Sequence, residues 1–218
     1  MEEMTLGAGV QLRCFRDDRF KQGCLSIQFV RPMNKEEAAK NALLPAVLLR
    51  GTEKSPDIGS ITARLDDLYG ASIGPLVRRA GDYQTSGLFC GFIDDKYALD
   101  GDEVFAPMVE FLREILFCPR LEKGIFPESV VESEKKNLNA TIDSRMNDKR
   151  TLAFDKLILH MCREDSFGIP RLGYKEDVAA IHQGLKDLLA DIESGKIEFS
   201  VDAEDIHMNI ESLLTQRI

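Results

Sequence analysis

With 218 residues, 44% of them hydrophobic, the chain can form one large domain with a substantial core. Its 37 acidic residues outnumber 28 basic ones, for a net charge of -9, and no basic block could follow a phosphate backbone, which excludes nucleic acid as an expected partner. Five scattered cysteines with no Cys-x-x-Cys pair, no signal-peptide pattern, and no apolar run of roughly 20 residues predict a soluble cytoplasmic protein without membrane contact.

The first predicted elements are two strands. Residues 10–15 and 24–30 alternate apolar and polar side chains on either side of the polar segment RDDRFKQG. This pattern predicts a hairpin, or two neighbouring strands of one sheet. Pro32 should end the second strand, because proline has no backbone N–H to donate.

A buried helix is predicted next, over residues 35–49. It contains apolar residues at steps of three and four, and Gly51 stands where a helix would stop. Pro45 lies inside it, where proline costs about 3 kcal/mol, so we expect a bend or a late helix start. The apolar positions are Ala42, Leu43, Ala46, Val47 and Leu49.

The remaining elements predict alternating layers. A short helix should close at Gly70, strands at 72–79 and 83–92 should flank a turn, and helices should follow at 104–117, 127–148 and 151–161. A loop and a short helix should follow up to residue 181. Together they predict an α+β fold with a mainly antiparallel sheet and helices packed on one face. Charges on the long helix should be in solvent, namely Glu132, Lys135, Lys136, Asp143 and Arg145.

An apolar helix, a basic residue, Gly51-Thr52 and a second helix ending in Leu-Tyr-Gly resemble the start of pitrilysin (M16, insulinase-like) zinc peptidases. In that family the first helix carries His-x-x-Glu-His. Residues three and four apart share a helix face, so two imidazoles hold zinc while the carboxylate acts on a bound water. The corresponding positions here are Ala42, Pro45 and Ala46, none of which can bind a metal or move a proton.

The same resemblance implies that Glu134, in the long helix, stands near the place of the family's third zinc ligand. Over residues 1–181 the phrases ALLP, GTEK, LYGAS and DVAAI are similar to the bacterial elongation factor P (aminopentanol) modification-associated proteins. The resemblance implies a truncated M16-like half-domain without its last helix and strand. It would have no catalytic residue, metal or cofactor, and would act as the non-catalytic partner subunit of a zinc-bearing paralogue in peptide or protein processing.

A second resemblance covers residues 182–218, where the phrase AEDIHMNIE is similar to argininosuccinate lyase. It places Asp205 and His207 near a composite active site that converts argininosuccinate to arginine and fumarate. The lyase family's Ser-Arg-Asn-Asp motif and Gly-Ser-Ser loop do not occur in these 37 residues. The alternative reading is therefore a truncated lyase fragment, inactive alone, in a fused or misassembled frame. A third is a defective product without a function.

The same 37 residues also have a reading from their own pattern. Two amphipathic helices are predicted, and their stripes could pack on the sheet edge that the missing strand would leave open. Burying a Leu or Ile gains about 1.5 to 3 kcal/mol, but ordering each residue costs about 1 to 2 kcal/mol, so we expect this segment to be partly detached. His160, His182 and His207 default to structural roles. The stripes are Leu185, Leu188, Leu189 and Ile192, then Ile206, Ile210, Leu213, Leu214 and Ile218.

Overall fold

The computed structural model describes residues 2–7, 9–17 and 19–181, so the predicted C-terminal helices lie outside the described residues. Within the described part the chain forms five strands and six α-helices. The strands are β1 (Glu2–Gly7), β2 (Val10–Cys14), β3 (Gln22–Pro32), β4 (Ser72–Ala80) and β5 (Tyr83–Ile93). The helices are α1 (Lys35–Leu48), α2 (Ile58–Asp67), α3 (Phe105–Phe117), α4 (Glu128–Asn147), α5 (Lys149–Met161) and α6 (Lys175–Ala179).

The strands form two separate antiparallel sheets. β1 pairs with β2, whereas β3, β5 and β4 form a three-stranded sheet with β5 in the middle. The prediction that β2 and β3 are a hairpin or sheet neighbours is therefore wrong. Alternation identifies a strand but not its partner, and β2 instead turns back onto β1 across Gly9, whose φ of 78° suits a tight turn.

The core lies between the three-stranded sheet and the helices. On β5, Leu88 and Cys90 are fully buried, and they belong to the same cluster as Leu43 of α1 and Phe111 of α3. On the opposite face of the sheet, Phe89 of β5 is 41% exposed. This arrangement confirms the predicted α+β fold with helices on one face.

Helix α1 begins at Lys35, where the Asn34 side chain accepts a hydrogen bond from the Glu36 N–H. It runs without interruption through Pro45 to Leu48, so the late start does not occur. Because Pro45 has no backbone N–H, the carbonyl of Asn41, four residues earlier, lacks its usual hydrogen-bond donor in the helix. The cost is tolerated because α1 is the central helix of the core and packs on β4, β5, α4 and α6.

Helix α6 is fixed to α4 by a buried lysine. Lys135 is 6% exposed, and its ammonium donates to the carbonyls of Ala179 (3.3 Å) and Ile181 (3.1 Å) and to Glu132 (2.7 Å). The carbonyls at a helix end have no intrahelical partner, and a cation there is favourable. The expectation that Lys135 lies in solvent is therefore wrong.

Among the described residues, no helix combines the length and apolar character needed to cross a bilayer.

Candidate functional site

The α1 positions that the resemblance equates with the peptidase zinc motif carry only hydrocarbon side chains. Ala42 is 5% exposed and part of the core, Pro45 is buried, and Ala46 is partly exposed. Zinc in proteins is held by Cys, His, Asp or Glu side chains. The residues at these positions do not fit a zinc ion, and no step of metal chemistry can be assigned to them.

Glu134 of α4 has a different partner. Its carboxylate is 5% exposed and forms an ion pair with the guanidinium of Arg50, while the Asn137 side chain donates to it at 3.1 Å. Arg50 lies in the turn just past the end of α1, two residues after Leu48. Its guanidinium neutralises the Glu134 carboxylate there.

This pairing has an electrostatic consequence. A buried carboxylate needs a compensating charge, because desolvation otherwise costs several kcal/mol. Arg50 supplies that charge with a group that never gives up its proton and offers no lone pair to a metal. Within residues 2–7, 9–17 and 19–181, no group of three or more His, Cys, Asp or Glu side chains could hold a metal ion. The correspondence of Glu134 to the family's third ligand stays a prediction.

Pro45 also lines a small hollow between α1 and the sheet. Its wall is mainly apolar and offers no group that could act as an acid or base near neutral pH. The hollow can accommodate hydrocarbon but cannot activate water. Its lining residues are Phe29, Arg31, Asn41, Leu44, Pro45, Leu48, Ser86, Gly87, Leu88 and Leu116.

The Gly-Thr turn after α1 is held by a second buried glutamate. Glu114 of α3 is 2% exposed, accepts from the Thr52 hydroxyl at 2.5 Å and from the Arg64 guanidinium at 2.6 Å. Arg64 in turn lies over the Phe111 ring, 4.5 Å from its centre. Burial alone would raise the pKa of Glu114, but the hydrogen bonds from Thr52 and Arg64 outweigh it and lower the pKa.

Sequence reasoning missed three residues that matter here: Arg50, Glu114 and Lys135. For Arg50 the sequence offered only its position between the apolar helix and Gly51, which does not identify its partner on α4. Glu114 lies within an apolar stripe, which hinted at a buried charge that would need a partner. For Lys135 the chain offered no signal, since its partners are backbone carbonyls of a distant helix end.

The lyase-like positions Asp205 and His207 lie outside the described residues, so the predicted boundary at residue 181 and any role of these side chains stay predictions.

Sequence comparisons give two kinds of relative, and no protein-family model matches the chain. The chain is 27% identical over 209 residues to a Bacillus subtilis protein described as a probable inactive metalloprotease, covering 89% of this chain and 49% of that protein. An argininosuccinate lyase from Pelotomaculum thermopropionicum is 58% identical over 43 residues, which cover 20% of this chain and 9% of the lyase. The chain thus spans about half the length of its metalloprotease-like relative.

The metalloprotease-like similarity extends past Ile181. Because 89% of 218 residues is about 194, an alignment of that extent reaches at least about residue 193 wherever it begins.

Solved structures show the same fold. A conserved protein from Enterococcus faecalis matches with a TM-score of 0.80 and 27% identity, covering 88% of this chain and 45% of that one. An M16 peptidase inactive domain from Pseudomonas fluorescens matches with a TM-score of 0.61 and 14% identity, covering 86% and 42%. The resemblance inferred from the sequence is confirmed: the chain has the fold of M16 peptidases and is similar to a protein described as a probable inactive metalloprotease.

Proposed function

We propose that this chain is a non-catalytic subunit that pairs with a zinc-bearing M16 paralogue and helps to enclose a peptide or protein substrate. The observation that carries the proposal is the Arg50–Glu134 ion pair beside a motif face made of Ala42, Pro45 and Ala46. These three side chains cannot bind a metal, and the nearby Glu134 carboxylate is neutralised by an arginine instead. A conserved architecture without chemistry suits a protein that shapes a binding site for another subunit's catalytic centre.

Two further observations support a partner. The chain spans about half of its metalloprotease-like relative and 45% of the Enterococcus faecalis protein, so about half of each of those proteins lies outside the part that matches this fold. Helix α5 also has no buried residue, and Phe154, Leu157 and Met161 are between 53% and 72% exposed. Large apolar side chains that recur on one helix face are typical of interaction surfaces.

Reconstitution tests this proposal. The chain is mixed with a zinc-bearing M16 paralogue from the same genome, and hydrolysis of quenched fluorescent peptides is followed for each protein alone and for the mixture. We expect no hydrolysis by this chain alone, co-elution of the two proteins, and a several-fold higher kcat/KM for the mixture than for the paralogue.

The matched control is a paralogue whose own zinc ligands are replaced by alanine, which should co-elute but remain inactive. Chelator-sensitive hydrolysis by this chain alone would overturn the proposal. So would unchanged kcat/KM of the paralogue together with separate elution of the two proteins.

A further inference from the structure

The two outer strands of the three-stranded sheet differ in how their free edges are protected. An unprotected strand edge exposes N–H and C=O groups that pair readily with another strand, and natural proteins blunt such edges with proline, charged side chains, bulges or a covering segment. Among the described strands, β3 and β4 each pair with β5 alone. Comparing the two strands shows which edge is protected against pairing with a further strand and which is not.

Edge strand β4 carries several protective features. Pro75 lies in its middle and Arg78 and Arg79 follow. The segment after α5 also lies against it: the Arg79 guanidinium donates to the carbonyls of Ser166 (2.5 Å) and Ile169 (2.8 Å), and Arg171 donates to the Val77 carbonyl at 2.5 Å. This edge is therefore closed to a further strand.

Within the described residues, edge strand β3 has none of these features from Gln22 to Val30. Its register with β5 is continuous for all 11 residues, without a bulge, and no charged residue or proline occurs from Gln22 to Val30. The side chains that face the helices are only partly buried, although they lie beside fully buried partners: Ile27 is opposite Leu88, and Leu25 is opposite Cys90. A long, uncharged, unprotected edge of this kind requires a cover.

The chain contains a matching segment beyond Ile181. Residues 196–201, Lys-Ile-Glu-Phe-Ser-Val, alternate polar and apolar side chains with the period of a strand. Placed beside β3, the apolar set Ile197, Phe199 and Val201 would continue the helix-covered face, and the polar set Lys196, Glu198 and Ser200 would continue the face of Cys24 and Ser26.

The chain length permits this contact. Ile181 is held at α4 by its carbonyl contact with Lys135. The 14 residues from 182 to 195 reach about 45 Å when extended, and less when they include the predicted helix. Either distance is comparable to the width of a domain of this size. The metalloprotease-like similarity continues into this connecting stretch.

We propose that the outer edge of β3 is a docking site for residues 196–201 of the same chain, which add to the sheet as a fourth strand. Thus a segment similar to argininosuccinate lyase covers the edge that the described strands leave unpaired, and the unprotected edge favours docking over a detached tail. This proposal does not depend on the partner subunit.

Disulfide trapping tests the proposal, because Cys24 is a native exposed thiol on β3. In a chain with Cys14, Cys118 and Cys162 changed to serine, single cysteines are placed at each position from 196 to 201. Mild oxidation is followed by intact mass and peptide mapping. Positions 196, 198 and 200 lie on the Cys24 face, so the best of them should form an intramolecular disulfide at least about tenfold faster than its neighbours at odd positions.

The controls separate the alternatives. Cys24→Ser in the fastest variant should abolish the disulfide. Equal rates at even and odd positions, or no intramolecular disulfide, would overturn the proposal. Disulfides that form only between two chains would overturn it as well, because they would assign the β3 edge to a second copy.

Discussion

Glu114 and Glu134 are alike in that each is a buried glutamate neutralised by an arginine. Glu114 anchors the turn after α1 through Thr52 and Arg64, and Glu134 meets Arg50 at the end of the motif face. A general base works best with a pKa near the operating pH, but the pKa of Glu114 is lowered, and Glu134 is committed to a permanent cation. Both glutamates therefore serve the same structural purpose, which is to balance charge inside the fold.

The largest expected effect separates buried from exposed ion pairs. Arg50→Ala leaves the Glu134 carboxylate buried without its counter-charge, so we expect a loss of about 3 kcal/mol in unfolding free energy. This is the low end for a broken buried pair, because Arg50 is 31% exposed. Chemical denaturation measures it. The matched control is Arg113→Ala, whose pair with Glu110 is exposed and should be worth less than about 1 kcal/mol. Equal losses for the two variants would show that Glu134 has no special need of Arg50.

The second prediction concerns pH. Since the folded-state pKa of Glu114 is lowered, its ionisation stabilises the fold above the unfolded pKa of about 4.3, and this contribution is lost as the pH falls through the folded pKa. Glu114→Gln should therefore cost about 1 to 3 kcal/mol at pH 7 and progressively less below about pH 4. Denaturation midpoints from pH 3 to 7 check it. If the stability difference between the unmodified protein and Glu114→Gln is the same at every pH, the charge of Glu114 does not stabilise the fold.

A smaller effect is expected from rebuilding the motif. Ala42→His, Pro45→Glu and Ala46→His together introduce the residue types of the zinc motif, but Glu134 remains bound to Arg50. We expect no chelator-sensitive peptide hydrolysis from the triple variant. Robust hydrolysis would contradict this prediction, because it would show that changing the three side chains is enough to produce an active site. Arg50→Met added to the triple variant tests whether the ion pair blocks metal binding.

The smallest effect is expected in a lyase assay. Elimination needs an acid–base pair and an anion-binding loop, and residues 182–218 lack the lyase family's signature loop. Fumarate formation from argininosuccinate, followed by absorbance, should equal the buffer blank. Turnover lost on His207→Ala would contradict this expectation and favour the lyase reading.

Much of the fold could be predicted because its helices and the β4–β5 hairpin are encoded locally. Hydrophobic periodicity and a glycine at the boundary sufficed to predict α1, which ends before Gly51, and the β4–β5 hairpin, whose turn contains Gly81. Pairing between distant segments was not predictable: β2 alternates as a strand should, but nothing within it specifies β1 rather than β3 as its neighbour. For the same reason the interactions of Glu114 and Lys135 could not be predicted, since their partners lie far along the chain.

Metal content tests the central claim most directly, namely that the motif face has exchanged zinc chemistry for an internal ion pair. The full chain, purified without chelator and loaded with excess zinc, is desalted and analysed by mass spectrometry for metal per chain, with Arg50→Met and the triple histidine–glutamate variant alongside. The account predicts far less than one zinc per chain for the unmodified protein. Near-stoichiometric zinc, together with peptide cleavage that a chelator abolishes, would contradict it.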